Sequence, residues 1–287
     1  MLSHVVDSVL LAAAGAGIQP LLGVGFVPVL HVERLQDDDS FARVLEFCRT
    51  YEVMTSRRAI STVITPLAPI LANELLSVGF SHQAYMGRIA AVAEHSDIGL
   101  HGHFLRCPVE SRRPVHNYWS DSGLVAKQMR EESSWLETHG LMRTRVYSGG
   151  WWHLNRSVVA ALVANGFEFD FTPSVGRYND SPTARFHRRG SPNPALFEMA
   201  PGLHGAWAVS GICGSPRISA VPRRTLAAFG GGVRGAGRVV TLYSHDWDMD
   251  VPSAVRTLQD LQSHGAHFLS LGELASMRAV GSTTKER

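Results

Sequence analysis

Gly25-Phe-Val-Pro-Val-Leu-His31-Val-Glu33 indicates the fold class most directly. It is a continuous apolar run typical of a buried strand, and it ends in a histidine and a carboxylate. Three later strand-like runs also end in polar or aromatic residues; they are Asp97-Ile-Gly-Leu-His101-Gly-His103, Arg145-Val-Tyr-Ser-Gly149-Gly-Trp-Trp152 and Val239-Val-Thr-Leu-Tyr-Ser-His245-Asp-Trp-Asp248. Residues that follow the C-terminal ends of strands converge on one face of an α/β barrel. We therefore expect these four strand ends to form one site.

Helical spacing separates the predicted strands along the whole chain. The predicted helices include Phe41–Arg49, Leu67–Val78, Asp121–Thr138, Ser157–Ala164 and Val251–His264. Such alternation predicts an α/β fold in which helices cover a parallel sheet or barrel. No linker divides the chain, so we predict one barrel domain over residues 1–287, with an N-terminal helix and turn over 1–25 and a frayed tail over 281–287. The polar stretch Arg177–Asn193 is predicted to be a long loop, either a lid or disordered.

The composition is that of an ordinary soluble protein. The 287 residues are 45% hydrophobic and 18% charged, and the formal net charge of +2 is too small to indicate nucleic-acid binding. The apolar stretch 5–25 has no basic residue before it and is broken by Asp7 and Pro20, so we expect neither a signal peptide nor a membrane span. The irregular spacing of Cys48, Cys107 and Cys213 gives no disulfide framework and no thiolate zinc site. A cytoplasmic location is expected.

The strand ends contain the ligand types of a catalytic metal site. Two imidazoles and one carboxylate, with a position left for water, commonly hold zinc or another divalent transition metal. His101 and His103 are two residues apart at a strand end and therefore point to the same side. We predict that Glu33, His101 and His103 bind the metal, with zinc as the first choice. Two alternatives are that one histidine only packs in the core and that Glu33 forms a buried ion pair with Arg145.

Three further residues are predicted to act in catalysis. His31 would orient or deprotonate a water molecule, and His245 would protonate a leaving amine as a general acid. Arg145 would fix a carboxylate through bidentate hydrogen bonds. The alternative for His245 is a surface loop, and the alternative for the tryptophans is core packing. The residues predicted to contact substrate are Tyr147, Trp151, Trp152, Asp246, Trp247 and Asp248.

The four segments, in this order, resemble the motifs of the polysaccharide deacetylase superfamily, which includes carbohydrate esterase family 4. In that family the first strand ends in Asp-Asp or Asp-x-Asp/Glu. The later motifs are His-x-x-x-His, Arg-x-Pro-x-Gly and a Leu-x-x-His that is followed by Trp. The matching stretches here are His31-Val-Glu33, His101-Gly-His103-Phe-Leu105, Arg145-Val-Tyr-Ser-Gly149 and Leu242-Tyr-Ser-His245-Asp-Trp247. The resemblance covers most of the chain, from about Phe26 to Met277.

The chain departs from the family pattern at two functional positions. Leu105 stands where the family has its second metal-binding histidine, and His31 stands where it has an aspartate base. Either His103 replaces the missing ligand or metal binding has been lost.

The resemblance implies a distorted (β/α) barrel and a metal-dependent amidohydrolase. Its substrate would be an N-acylated, most simply N-acetylated, amino sugar, sugar-containing small molecule or natural-product intermediate. The alternatives are a sugar-binding pseudoenzyme and a metal-free acid–base isomerase or cyclase. We expect a small-molecule or carbohydrate substrate and neither a nucleic-acid nor a membrane partner.

Overall fold

Ten strands form a mixed sheet that curls into a half-barrel with flanking helices. The computed structural model describes residues 24–106, 116–117, 121–173, 196–211, 238–263 and 265–282. The strands are β1 (Val24–Val32), β2 (Ala59–Val63), β3 (Ser96–Gly102), β4 (Leu105–Arg106), β5 (His116–Asn117), β6 (Val146–Gly149), β7 (Phe169–Asp170), β8 (Phe197–Ala200), β9 (Leu203–Gly205), β10 (Trp207–Gly211), β11 (Arg238–His245) and β12 (His267–Phe268). The helices are α1 (Asp38–Thr55), α2 (Pro69–Val78), α3 (His82–Ala93), α4 (Ser122–Thr138), α5 (Arg156–Ala164), α6 (Val251–Ser263) and α7 (Leu271–Ser282).

The strand order places the predicted site residues at one edge of the sheet. The order is β10-β11-β1-β2-β3-β6-β7-β9-β8, with β12 also paired to β1. Among the described strands of this sheet only β8 and β9 pair antiparallel, while β4 and β5 form a separate antiparallel pair. His31 of β1 lies opposite His245 of β11 and Thr62 of β2, and His101 of β3 lies opposite Ser148 of β6. Because these pairs are parallel, their carboxyl ends meet at the same face.

Aromatic packing joins the helices to the sheet in the core. Tyr51 of α1 contacts the ring of Phe268 at 5.7 Å between centroids, and Phe26 of β1 contacts the same ring at 6.5 Å. All three side chains are buried. Edge-on contacts of this kind stabilise a core beyond the area they bury. They hold α1 and β12 against β1, the strand that leads to the candidate site.

The sequence predicted this α/β barrel correctly, and the main differences lie in element length and in the last part of the sheet. The helix α1 continues to Thr55, beyond the predicted end at Arg49, and no helix was predicted where α3 lies. Strands β8, β9 and β10 were not predicted. The predicted helix near Val5–Ala14 and the loop over Arg177–Asn193 lie outside the described residues. Within the described ranges, no helix combines the length and the apolar character needed to cross a membrane.

Candidate metal centre

Glu33, His101 and His103 converge at the C-terminal face of the half-barrel. Each offers one ligand atom, and these three atoms lie within 4.8 Å of one another. The Glu33 Oε1 atom is 3.1 Å from His101 Nε2 and 3.5 Å from His103 Nε2. Both histidines are buried, while the Glu33 side chain is partly exposed. We call these three residues the Glu–His–His cluster.

A chain of buried hydroxyl groups sets the tautomer of His101. Thr62 Oγ1 donates its single proton to the Leu30 carbonyl at 3.0 Å, so it accepts the bond of 2.7 Å from Ser148 Oγ. The Ser148 proton is thereby used, and Ser148 Oγ accepts from His101 Nδ1 at 2.8 Å. A histidine whose Nδ1 carries the proton has its Nε2 lone pair free for a metal. That lone pair faces Glu33.

The electrostatics of the cluster fit a bound cation. Burial lowers the pKa of His101 to about 4, so its imidazole is neutral near pH 7, and the hydroxyl chain leaves its single proton on Nδ1. A lone pair and a carboxylate oxygen therefore face each other across 3.1 Å. Two imidazole nitrogens and one carboxylate are ligands that divalent zinc accepts, so this donor set fits the metal.

Neighbouring backbone positions His103 closely. A Cβ atom at Gly150 would lie 2.2 Å from His103 Nε2, so only glycine allows the turn after β6 to approach this ring. On the other side, Gln128 Nε2 of α4 donates to the His103 carbonyl at 3.2 Å. Leu105, at the family's histidine position, begins β4, and its backbone pairs with Asn117. Position 103, and not position 105, therefore brings an imidazole to the cluster.

Asp246 supports Glu33 from behind and does not face the substrate side. Its Oδ2 atom accepts the backbone N–H groups of Glu33 at 2.9 Å and Arg34 at 2.5 Å. The residue is fully buried, and this burial raises its pKa to about 6. The predicted substrate contact for Asp246 is therefore corrected. Its carboxyl group fixes the chain end that presents Glu33.

His31 is a buried, neutral imidazole next to the cluster. Its ring stacks on that of His101 with 4.7 Å between centroids. Burial, reinforced by the neighbouring His101 and His245, lowers the pKa of His31 well below its usual value. None of the described residues forms a hydrogen bond with His31 Nε2. A neutral imidazole with an unused nitrogen can accept a proton.

The pKa of His245 is shifted upward, opposite to that of His31, although the two ring centroids are only 5.0 Å apart. Its backbone N–H donates to Asp248 Oδ1 at 3.1 Å, and its Nδ1 lies 3.8 Å from Asp248 Oδ2. Burial alone would lower the pKa of His245, but the interaction with Asp248 raises it above the usual value. The site thus holds one imidazole that favours the neutral form and one that favours the cation.

Aromatic residues surround the two imidazoles. The Trp152 ring lies 5.2 Å from that of His31 and 4.5 Å from that of Tyr243. Trp152 has φ of +57°, a conformation that costs energy for a bulky residue and is often found at functional sites. Trp247 is 44% exposed and lies 4.9 Å from the His245 ring. The substrate contacts predicted for Trp152, Trp247 and Asp248 fit these positions, and the side chain of Trp151 lies outside what is described.

Two other predicted site residues lie elsewhere. Arg145 precedes β6, at the opposite end of the strand from the site, and it pairs with Glu137 at 2.6 Å. It is therefore not positioned to act on Glu33 or on a substrate, and the predicted catalytic role is corrected. Tyr147 is fully buried and packs against Phe167 at 5.9 Å between ring centroids, so its predicted substrate contact is corrected as well.

The sequence interpretation missed three residues whose hydrogen bonds support the Glu–His–His cluster, namely Thr62, Ser148 and Gln128. Ser148 lies in the quoted third segment, and its position three residues after Arg145 gave no local signal of a contact with His101. Thr62 and Gln128 are polar residues in apolar strand or helix patterns, which is the one signal that could have identified them. Their contacts depend on strand register and on the docking of α4.

Comparison with solved structures identifies the fold. A protein from Mycobacterium smegmatis assigned to the polysaccharide deacetylases is 12% identical, with 90% of this chain and 92% of that chain aligned and a TM-score of 0.53. The Puue allantoinase is 10% identical, with 90% of each chain aligned and a TM-score of 0.51. The chain has the polysaccharide deacetylase-like barrel fold.

A family 4 carbohydrate esterase from Streptomyces lividans also aligns, with 11% identity, 85% of this chain, 91% of that chain and a TM-score of 0.45. No protein-family profile and no curated protein matches the chain. At these identities the likeness concerns the fold, and the chemistry of this deacetylase-like barrel rests on its own residues.

Proposed function

We propose that this chain is a metal-dependent hydrolase that removes an N-acyl group, most simply acetyl, from an amino sugar or a sugar-containing small molecule. The observation that carries the proposal is the Glu–His–His cluster, where a histidine lone pair and a carboxylate face each other across 3.1 Å. Glu33, His101 and His103 would hold the ion. When bound, a divalent ion supplies a Lewis acid for a water nucleophile and an acyl carbonyl.

The two imidazoles beside the cluster divide the proton transfers. Neutral His31 takes a proton from water as the water oxygen bonds to the carbonyl carbon. Cationic His245 gives a proton to the amide nitrogen as the carbon–nitrogen bond breaks, which releases a carboxylic acid and an amine. The opposite pKa shifts of His31 and His245 support these roles, because the base must begin neutral and the acid must begin protonated.

The aromatic surroundings support a sugar-like substrate. Trp247 exposes an indole face beside the proposed acid, and Trp152 forms a wall beside the proposed base. Aromatic faces pack against the apolar faces of amphipathic ligands while leaving hydroxyl groups to polar partners. The shared fold with a protein assigned to the polysaccharide deacetylases is consistent with this substrate class.

The test combines metal content with acetate release. Purified chain, loaded with zinc, is assayed on N-acetylglucosamine and on short N-acetylglucosamine oligomers. His245→Gln should keep the zinc and lose about 10²–10⁴-fold in kcat, the usual contribution of a general acid. The matched control is His139→Gln, since His139 is an exposed histidine just after α4 whose Nδ1 bonds to the Trp135 carbonyl of the same helix.

Each other outcome favours a different function. Zinc binding without turnover of any N-acylated sugar would favour a sugar-binding pseudoenzyme. Chemistry on a ligand without zinc would favour the metal-free acid–base isomerase or cyclase. Loss of zinc from His245→Gln would make His245 a ligand and contradict its assignment as the acid.

A further inference from the structure

His103 directly follows Gly102, the last residue of β3. The last paired residue of that strand is Gly102, which lies opposite Gly149. The His103 carbonyl instead accepts a hydrogen bond of 3.2 Å from Gln128 Nε2, which belongs to α4. Gln128 is buried, so this contact is shielded from competing water. Helix α4 thus provides a hydrogen bond to the backbone of this predicted ligand.

Glu132 fixes the orientation of the Gln128 amide. Glu132 Oε1 accepts from Gln128 Nε2 at 2.5 Å, and Glu132 Oε2 accepts from Thr65 Oγ1 at 2.8 Å. Because the carboxyl oxygen accepts, the amide group must turn its NH₂ end toward it. One N–H of Gln128 then reaches Glu132 and the other reaches His103. Glu132 is itself only 1% exposed, so its partners lie within the protein.

We propose that Gln128 and Glu132 are positioning residues for the metal ligand His103. This inference rests on the metal-binding part of the proposed function. The Gln128 bond holds the His103 backbone from the α4 side, and the bare Cα of Gly150 leaves room for the ring on the other side. Together these contacts aim His103 Nε2 at the same Glu33 oxygen that His101 approaches. Gln128 and Glu132 thereby support an imidazole at position 103. The family motif instead has its second histidine at the position that Leu105 occupies here.

The test measures zinc affinity by competition with a chromophoric chelator. Gln128→Met keeps the length of the side chain and removes its donor. Because removal of a group that orients a ligand typically costs 10–100-fold in metal affinity, we expect a loss of about that size. Glu132→Gln should give a smaller loss, since one of its two oxygens remains to accept. The matched control is Ser133→Ala, which removes a buried hydroxyl of α4 that bonds to Arg130 and not to His103.

Two further measurements separate positioning from general stability. The cobalt(II) absorption spectrum of Gln128→Met should differ from that of the parent, whereas the spectrum of Ser133→Ala should not. The thermal unfolding of the metal-free variants shows whether each remains folded. If Gln128→Met does not fold, Glu132→Gln provides the same comparison with a smaller change in shape.

The outcomes distinguish the inference from the proposed function. Suppose that the parent binds zinc and that folded Gln128→Met binds it equally tightly. The positioning role is then wrong and the proposed function stands. Glu132→Gln is judged in the same way if Gln128→Met does not fold. If Ser133→Ala weakens binding as much, the effect belongs to α4 as a whole and the positioning role is again wrong. If the parent binds no zinc, both the metal-dependent function and the positioning role fail.

Discussion

Replacing Thr62 with valine would test whether the hydroxyl chain sets the tautomer of His101. Valine has nearly the same shape but neither accepts nor donates a hydrogen bond. The Ser148 hydroxyl would lose its acceptor at 2.7 Å and would turn its proton toward His101 Nδ1 at 2.8 Å. His101 would then carry its own proton on Nε2, where it faces Glu33 Oε1 at 3.1 Å.

The magnitude follows from that new hydrogen bond. A bond from Nε2–H to the Glu33 carboxylate is worth about 1.5–3 kcal/mol, as for other hydrogen bonds to charged groups. Zinc must displace this proton before His101 can ligate it. The binding free energy therefore falls by about the same amount, which corresponds to roughly 10- to 100-fold weaker zinc affinity. Thr62→Ser keeps the hydroxyl and should bind zinc nearly as the parent does.

Two assays follow the effect. Chelator competition gives the zinc affinity, and ¹⁵N NMR of the histidine rings in the metal-free protein reports which nitrogen of His101 is protonated. The parent should show the proton on Nδ1, and Thr62→Val should show it on Nε2. A folded Thr62→Val protein that binds zinc as tightly as the parent, or a parent whose His101 carries its proton on Nε2, would refute the reasoning.

Three other substitutions test separate parts of the structure. Gly150→Ala places a Cβ atom 2.2 Å from His103 Nε2, so zinc competition should show a loss of affinity, and unchanged affinity would mean that the ring is not a ligand. Arg145→Gln removes a partly exposed ion pair with Glu137, so chemical denaturation should show a loss of only about 0–1 kcal/mol and the acetate assay should show no change; a large loss of kcat would restore its catalytic role. Burial raises the pKa of Asp170 from 3.8 to about 7, so its contribution to stability is fully present below the lower value and is lost as the pH rises through the higher one. Asp170→Asn should remove that slope between the two values in urea denaturation, and an unchanged slope would contradict the assignment.

The sequence was sufficient to predict the barrel and the convergence of Glu33, His101 and His103, because both depend on local patterns. Buried parallel strands are continuous apolar runs, and each run here ends in polar or aromatic residues. His101 and His103 are two residues apart, so they were expected on one side of the chain end, and the structure brings both to Glu33. Whether these residues hold a metal stays a prediction.

The incorrect residue assignments have geometric reasons. Arg145 and Ser148 belong to the same short segment, but β6 begins only at Val146, so Arg145 lies at the far end of the strand. Successive side chains of a strand point to opposite faces, which sends Tyr147 into the core and Ser148 toward His101. The start of a strand and the direction of its side chains are the least certain features of a sequence pattern.

The supporting hydrogen bonds could not be predicted because they connect distant parts of the chain. The Thr62–Ser148–His101 chain requires the register of three strands, and the bond from Gln128 requires the docking of α4. Neither relation leaves a local pattern. Asp246 gave a misleading signal, since an acidic residue next to a site histidine also suits the backbone-binding role that it has.

Zinc titration of the metal-free chain by isothermal calorimetry tests the central claim most directly. We predict one zinc ion per chain for the parent, and no binding at this site when His101 is replaced by alanine in a protein that remains folded. The same stoichiometry and affinity in His101→Ala, or the absence of zinc binding by the folded parent, would contradict the assignment of Glu33, His101 and His103 as a metal centre.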